Sequence, residues 1–270
     1  MSARRRIAAP GWAAGAFAAW LIAACSEASG PGGVLSLQFD KVPMPAAVLG
    51  DSLRDTTGAA APLRAHAFGT GATELANVPI RYLSLDTGIV VDSVGGWVVA
   101  TNRRLTVARV VATVAGLQTQ PESIAVALRP DTASSAAPAP TITYVTVPRT
   151  SPQNTSGSLS VRVGSFPATP GPTADSVSGH WLVRYTLVRA ATLAADSTLL
   201  VGATPGAVTA FAVTDLTSGV ATKAVRVVPK LGTRVKDTVI VDASVTYKGA
   251  AVRGSPVRFI VPLTPADSLP

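Results

Sequence analysis

The sequence predicts an all-β protein, two β-sandwiches in tandem behind an N-terminal export leader and a short tether. Three observations carry this. From Val34 onward apolar residues alternate or cluster in short runs, no stretch beyond the leader holds a helical period for three turns, and the runs are parted by turn chemistry such as Asp86-Thr87-Gly88, Gly95-Gly96 and Thr101-Asn102. The runs are rich in Val, Thr and aromatic residues, which suit a pleated, half-buried surface.

The leader comes first. Arg4, Arg5 and Arg6 precede an almost unbroken apolar stretch from Ile7 to Ala24, a positive region followed by a hydrophobic one. A spanning helix needs about 20 apolar residues; this stretch is slightly shorter, is interrupted by Pro10 and Gly11, and gives way to Ser26 and Glu27. Residues 1–24 therefore read as a signal peptide. The adjoining Leu21-Ile22-Ala23-Ala24-Cys25 resembles the lipobox of bacterial lipoproteins. That resemblance implies a diacylglycerol on the Cys25 thiol, cleavage just before it, and usually a third chain on the new amine. Two or three chains, at about 0.8 kcal/mol per buried CH₂, anchor durably where one does not. Ser26 stands where aspartate commonly retains such proteins at the inner membrane, so the resemblance implies the outer one. Arg4-Arg5-Arg6-Ile7-Ala8 also has a loose likeness to a twin-arginine signal, which leaves the export route open. Cys25 is the only cysteine, so no disulfide forms within the chain.

Ser26 to Gly33, SEASGPGG, has the composition of a flexible tether, and residues 25–33 are taken as lipidated cysteine plus tether. Asp131 to Pro140, DTASSAAPAP, reads as a semi-extended linker. It parts a first block, 34–130, from a second, 141–264, each expected to have its own core, with 265–270 as a tail. The first block's strands are expected at Val34–Phe39, Leu63–Phe68, Val78–Leu85, Trp97–Ala100, Val107–Val114 and Ile124–Leu128. The second block's are expected at Thr141–Val147, Ser158–Val163, Trp181–Val188, Thr198–Val201, Val208–Val213, Ala221–Val228, Thr238–Tyr247 and Pro256–Leu263. About seven short strands per block imply a sandwich. Phe166 to Thr173, crowded with Pro, Gly and Thr, is expected to be an exposed loop.

Val78-Pro79-Ile80-Arg81-Tyr82-Leu83-Ser84, then Val91 to Val98, then Ala108 to Gly116 resemble the middle and late strands of bacterial immunoglobulin-like domains. Val245 to Phe259 resembles another hairpin of that superfamily, placed at the end of the chain rather than early in the domain. The resemblance implies immunoglobulin-like sandwiches and a place in the cell envelope.

Composition adds limits. Hydrophobic residues make up 47% but aromatics only 5%, so the core is built mostly of Ala, Val and Leu. The leader holds three of the 23 Lys and Arg and none of the 15 Asp and Glu, which leaves the mature chain at +5. Most of that charge lies between Lys223 and Arg258. Lys223, Arg226, Arg234, Lys236, Lys248 and Arg253 are candidates for contact with an anionic envelope component such as lipid headgroups or phosphorylated glycan. Arg234 and Lys236, two apart, share a face if that stretch is a strand. The alternative is that these charges only keep edge strands from pairing with other molecules.

Catalytic chemistry finds little support. His66 and His180, the two histidines, lie in or beside strands and read as structural. There is no Gly-x-Ser-x-Gly elbow, Glu27 falls in the tether, and only Glu74 and Glu122 remain among glutamates for a carboxylate pair. No His-x-x-x-His pair, cysteine cluster or calcium loop occurs, although Asp86, Asp92 and Asp175 could join a calcium site built across loops. Gly69-Thr70-Gly71 reads as a turn. Trp97 and Trp181, one per block, are expected in the two cores. The expectation is a non-enzymatic, lipid-anchored envelope protein without cofactor or metal, acting as spacer, adhesion or assembly module. Its partners are the membrane through its lipid and envelope glycans or surface proteins, with no nucleic acid. The alternatives are a carbohydrate- or peptidoglycan-binding accessory module, and a hydrolase requiring an ordered cleft around His66 or His180.

Overall fold

Residues Val257–Pro265 show how this sequence specifies sheet. Val257, Phe259, Val261 and Leu263 are buried while Arg258, Ile260 and Pro262 face outward, the period of two that a strand with one wetted face requires. The computed structural model describes residues 33–102, 107–148, 150–166, 176–191, 198–230 and 234–266. The leader, Cys25 and residues 26–32 of the tether lie outside the described residues, as does the expected loop beyond Phe166. No helix among the described residues is long and apolar enough to cross a membrane.

The first block holds β1 (Ser36–Phe39), β2 (Ala46–Val48), β3 (Ala65–Phe68), β4 (Glu74–Leu75), β5 (Arg81–Ser84), β6 (Ile89–Val91), β7 (Val98–Ala100), β8 (Ala108–Val114), β9 (Leu117–Gln118) and β10 (Glu122–Ala127). Its larger sheet runs β2-β10-β8-β5, with β9 paired to β8. The β2–β10 pair is parallel, Ala46 opposite Ala125, and the others are antiparallel. A smaller sheet, β1-β3-β4, and the β6–β7 hairpin complete the block. Leu53, Val98, Val110 and Ile124 are fully enclosed between these layers.

The second block holds β11 (Thr132–Ser135), β12 (Ile142–Tyr144), β13 (Leu159–Ser165), β14 (Ser176–Val177), β15 (Leu182–Arg189), β16 (Thr198–Leu200), β17 (Thr209–Val213), β18 (Val220–Lys223), β19 (Val225–Val227), β20 (Asp237–Ser244), β21 (Thr246–Tyr247), β22 (Ala250–Ala251) and β23 (Val257–Pro265). One sheet runs β12-β23-β20-β15-β17 and faces a second made of β11, β13, β14 and β18. As in the first block, an early strand lies parallel to the last, Ile142 opposite Leu263. Tyr185 ties the layers together. Its hydroxyl on β15 lies 3.1 Å from the Leu159 carbonyl on β13 and 2.9 Å from the Ala221 carbonyl on β18. Each block is thus an antiparallel sandwich closed by one parallel edge pair, an immunoglobulin-like architecture.

Two expectations are corrected. Thr132–Ser135, assigned to the linker, is strand β11, antiparallel to β13 with Ala133 opposite Val163. Its Thr-Ala-Ser-Ser composition reads as linker because small residues suffice on an edge, yet backbone groups placed beside β13 still take up the ladder bonds. The two cores are also not separate. Buried apolar side chains from Met44 to Ala127 and from Ala133 to Leu263 form one connected cluster, so apolar packing continues across the contact between blocks.

Candidate binding cleft between the two blocks

Beyond the shared apolar core, two tight turns bring the blocks into backbone contact. In the second block the chain reverses between β21 and β22 at Lys248-Gly249, both at positive φ, 52° and 78°, the two-residue turn whose twist matches a hairpin. In the first block Asp55 starts a turn by accepting the amides of Thr57 (2.9 Å) and Ala59 (3.1 Å) and the Thr57 hydroxyl (2.6 Å) on its Oδ1. The backbones of the turns touch. A Cβ on Gly58 would lie 2.1 Å from the Gly249 nitrogen, and Gly58 itself has φ +94°, so only glycine fits.

Asp51 locks this contact. Its carboxylate accepts from Arg54 Nε (3.0 Å) and Nη2 (2.9 Å), a forked pair within the first block, and from the Tyr247 hydroxyl of the second (2.7 Å). Lys248 Nζ stands 3.3 Å from Asp51 Oδ2, the oxygen that also accepts from Arg54 Nε and Tyr247, and 5.3 Å from the Tyr247 ring centre. Arg54 Nη1 also donates to the Gly58 carbonyl at 2.8 Å. The Arg54 guanidinium, with the Tyr247 hydroxyl, the Ser52 amide and Lys248 behind it, holds the Asp51 carboxyl well below the usual carboxylate range, against the opposing effect of burial. Burial, and then the hydrogen bond to Asp51, push the Tyr247 phenol up to about 12. At neutral pH the lock is a carboxylate held by a guanidinium, an ammonium and a neutral phenol. Tyr247 in turn meets Trp181 edge-on, centroids 6.1 Å apart and planes at 68°.

Beside this lock lies a cavity of about 370 Å³, walled by the Arg54–Gly58 turn on one side and by Trp181, Arg184, Phe211, Ser244 and Tyr247 on the other. A second cavity, about 520 Å³, shares Thr56, Leu182 and Phe211 with it and runs on along Lys41, Pro43 and Pro45. The two make one groove between the blocks, within the size range of ligand sites. Trp181 is 4% exposed and its Nε1 is a buried donor without a partner among the described residues.

The six basic candidates do not form one face. Lys223 pairs with Leu159 at one end of β13, whereas Arg253 bridges to Thr132, opposite Gly164 near the other end, roughly 16 Å away at 3.3 Å per residue. Arg226, on β19, donates to Thr155 Oγ1 at 3.1 Å, and Lys223 Nζ is 3.3 Å from the Val201 carbonyl. Arg234 and Lys236 precede β20, which begins at Asp237, so the shared strand face expected of them does not exist. Only Lys248 reaches the groove. No sequence signal marks Asp51, Arg54, Arg184 or Phe211; the Lys-Gly turn marks the hairpin but not what it docks on.

Of the two histidines, His66 lines a small cavity with Phe39, Asp40 and Phe68. His66 Nε2 is 3.0 Å from Asp40 Oδ1 and Nδ1 bonds Glu74 Oε1; both ring nitrogens are taken, and Glu74 first and Asp40 second raise its pKa above the ordinary 6.5. His180 sits at φ +56° and donates its amide to the Thr214 carbonyl at 2.9 Å. Trp181 is in the core as expected, but Trp97 is 45% exposed. Its indole lies over Gly95, where a Cβ would come within 2.8 Å of Cδ1, so the ring covers a turn instead of filling the interior.

No protein-family model matches the sequence, and no curated protein matches it. Among solved structures, the chain is similar to the Yersinia pseudotuberculosis adhesin InvE at 17% identity, covering 87% of this chain and 61% of that one with a TM-score of 0.31. The Escherichia coli adhesin FdeC matches at 13% identity over 86% and 63% of the two chains, TM-score 0.26. The zebrafish RET cadherin-like domains 1 to 4 match at 13% identity over 84% and 47%, TM-score 0.30. The chain thus spans under two thirds of the length of each of these proteins.

Proposed function

We propose that this protein is a lipid-anchored, non-enzymatic module of the bacterial outer membrane that holds its second sandwich at a fixed distance and angle from the bilayer, as spacer, adhesion or assembly unit. The observation that carries this reading is the lock at Asp51. Neighbouring domains within a chain move relative to each other unless their interface is large and apolar, and here a connected core, touching backbones and a carboxylate shared between blocks oppose that motion. A module whose work is to present a surface gains from such stiffness. Anchoring at Cys25 rests on the Arg4–Arg6 leader and the Leu21-to-Cys25 string.

The experiment has two arms. Radiolabelled palmitate is expected in the wild type and not in Cys25→Ser, which accumulates as precursor; equal labelling removes the anchor from the proposal. Spin labels on exposed Val90 and Val188, one per block, should give one narrow distance distribution by pulsed electron resonance. A broad distribution would mean hinged blocks and remove the spacer.

A further inference from the structure

The groove beside the lock carries more charge than the lock consumes. Arg54 and Lys248 share Asp51, but Arg184, which is exposed and lines the first cavity, makes no ion pair among the described residues. Its cross-strand neighbours on the sheet are Phe211 on β17 and Ser244 on β20. The carboxylate one row further on, Asp242, is held on both oxygens by Arg258 at 2.8 Å. Asp55, the one acidic residue lining this cavity, has Oδ1 committed to its own turn. The wall of the first cavity is therefore net positive, and a guanidinium with no counter-charge among the described residues presents a fork that fits a carboxylate.

The rest of the wall narrows the ligand. Phe211 is 47% exposed and lines both cavities, so its ring is open to the groove where they meet. Thr56, Ser244 and Thr246 add side-chain hydroxyls to the rim. An open aromatic ring beside hydroxyls suits a sugar ring, which shows C–H groups on its faces and hydroxyls at its edge. The second cavity, whose wall carries both Lys41 and Glu122, extends the groove past Phe211, giving room for more than one ring. We propose that the groove between the blocks binds a carboxylate-bearing oligosaccharide, with Arg184 taking the carboxylate and Phe211 the face of a sugar ring. The site needs both blocks, because the Arg54–Gly58 turn forms one of its walls. It does not depend on the lipid anchor or on the spacer role.

The test is titration calorimetry on the full chain in non-ionic detergent, with hexagalacturonate as probe and with maltohexaose and hexaglutamate as controls. Hexagalacturonate is expected to bind and maltohexaose not. Arg184→Gln should weaken binding at least about tenfold, the loss of one charge-assisted contact, and Phe211→Ser should weaken it as well. Both side chains are exposed, so unchanged melting temperatures would show intact folds; if Phe211→Ser melts lower, Phe211→Leu keeps the apolar contact and removes only the aromatic face. Arg81→Gln, exposed on β5 and away from the groove, should bind as the wild type does. No heat with hexagalacturonate, equal binding of maltohexaose, equal binding of hexaglutamate, or an Arg184→Gln protein that binds like wild type would each overturn the assignment.

Discussion

Replacing Asp51 with alanine tests the lock where it is most concentrated. The substitution removes the acceptor of the Arg54 fork and of the Tyr247 hydroxyl, and the counter-charge of Lys248. Hydrogen bonds to a charged group are worth about 1.5–3 kcal/mol each when their loss leaves a buried partner unsatisfied. Arg54 and Lys248 are 21% and 50% exposed, so water replaces much of what they lose, whereas Tyr247 regains less. The expected cost is about 3 kcal/mol, which at about 2–4 °C per kcal/mol for a protein of this size lowers the melting temperature by about 6–12 °C. Asp51→Asn, keeping shape without charge, should fall between. The acid limb gives a second reading of the same group. Its folded pKa is depressed below the ordinary 3.8, so its contribution is complete above the unfolded value and is lost as pH falls through 4 toward the folded value. Wild type should therefore lose stability between about pH 5 and 2 more steeply than Asp51→Ala. Scanning calorimetry across that range decides both points. A shift under about 2 °C at neutral pH, or parallel acid limbs, would refute the assignment of the lock to Asp51.

Gly58→Ala puts a Cβ 2.1 Å from the Gly249 nitrogen at a φ of +94°; the turns must part, and small-angle scattering should show a larger radius of gyration while both sandwiches stay folded. An unchanged profile would mean that the contact is looser than described. Tyr185→Phe leaves the Leu159 and Ala221 carbonyls without the hydroxyl and should cost about 2 kcal/mol by urea denaturation with an unchanged slope; a change within error would mean that the hydroxyl contributes nothing. For His66 the sign is opposite to that of Asp51. Its folded pKa is raised by Glu74 and Asp40, so its stabilisation is full below the unfolded value near 6.5 and is lost as pH rises through the folded one. An NMR titration should place the His66 midpoint above 6.5 and lower it in Glu74→Gln, and a wild-type midpoint at or below 6.5 would contradict the bridge.

Local order was written into the chain. Each run of alternating residues anticipated from Val34 to Leu263 contains a strand, because one buried and one wetted face impose a period of two that is visible without knowing the partner strand. The strands outside those runs are short or poor in apolar side chains: β2 with Ala46-Ala47-Val48, β6 with Ile89-Val90-Val91, β11 with Thr-Ala-Ser-Ser, and β4, β9, β14 and β22 with two residues each. Such segments are held by backbone pairing with a neighbour, and backbone groups are alike in every sequence.

The groove belongs to the second kind of information. Asp51 and Tyr247 are 196 residues apart, and nothing in the neighbourhood of either points to the other. Arg184 and Phe211 meet because β15 and β17 pair in one register, and a slip of one residue would send Phe211 to the opposite face of the sheet. The basic segment shows the same limit in reverse. Charges crowded in sequence were dispersed to both ends of β13, since antiparallel strands carry neighbouring residues away from each other as readily as they bring distant ones together. By itself the sequence determined the all-β class, the places of the main strands and the tight turns, each of which is decided by side chains within a few residues. The joining of the two cores, the lock at Asp51 and the charge left over at Arg184 were decided by tertiary structure alone, because they arise from contacts between surfaces that exist only once both sandwiches have formed.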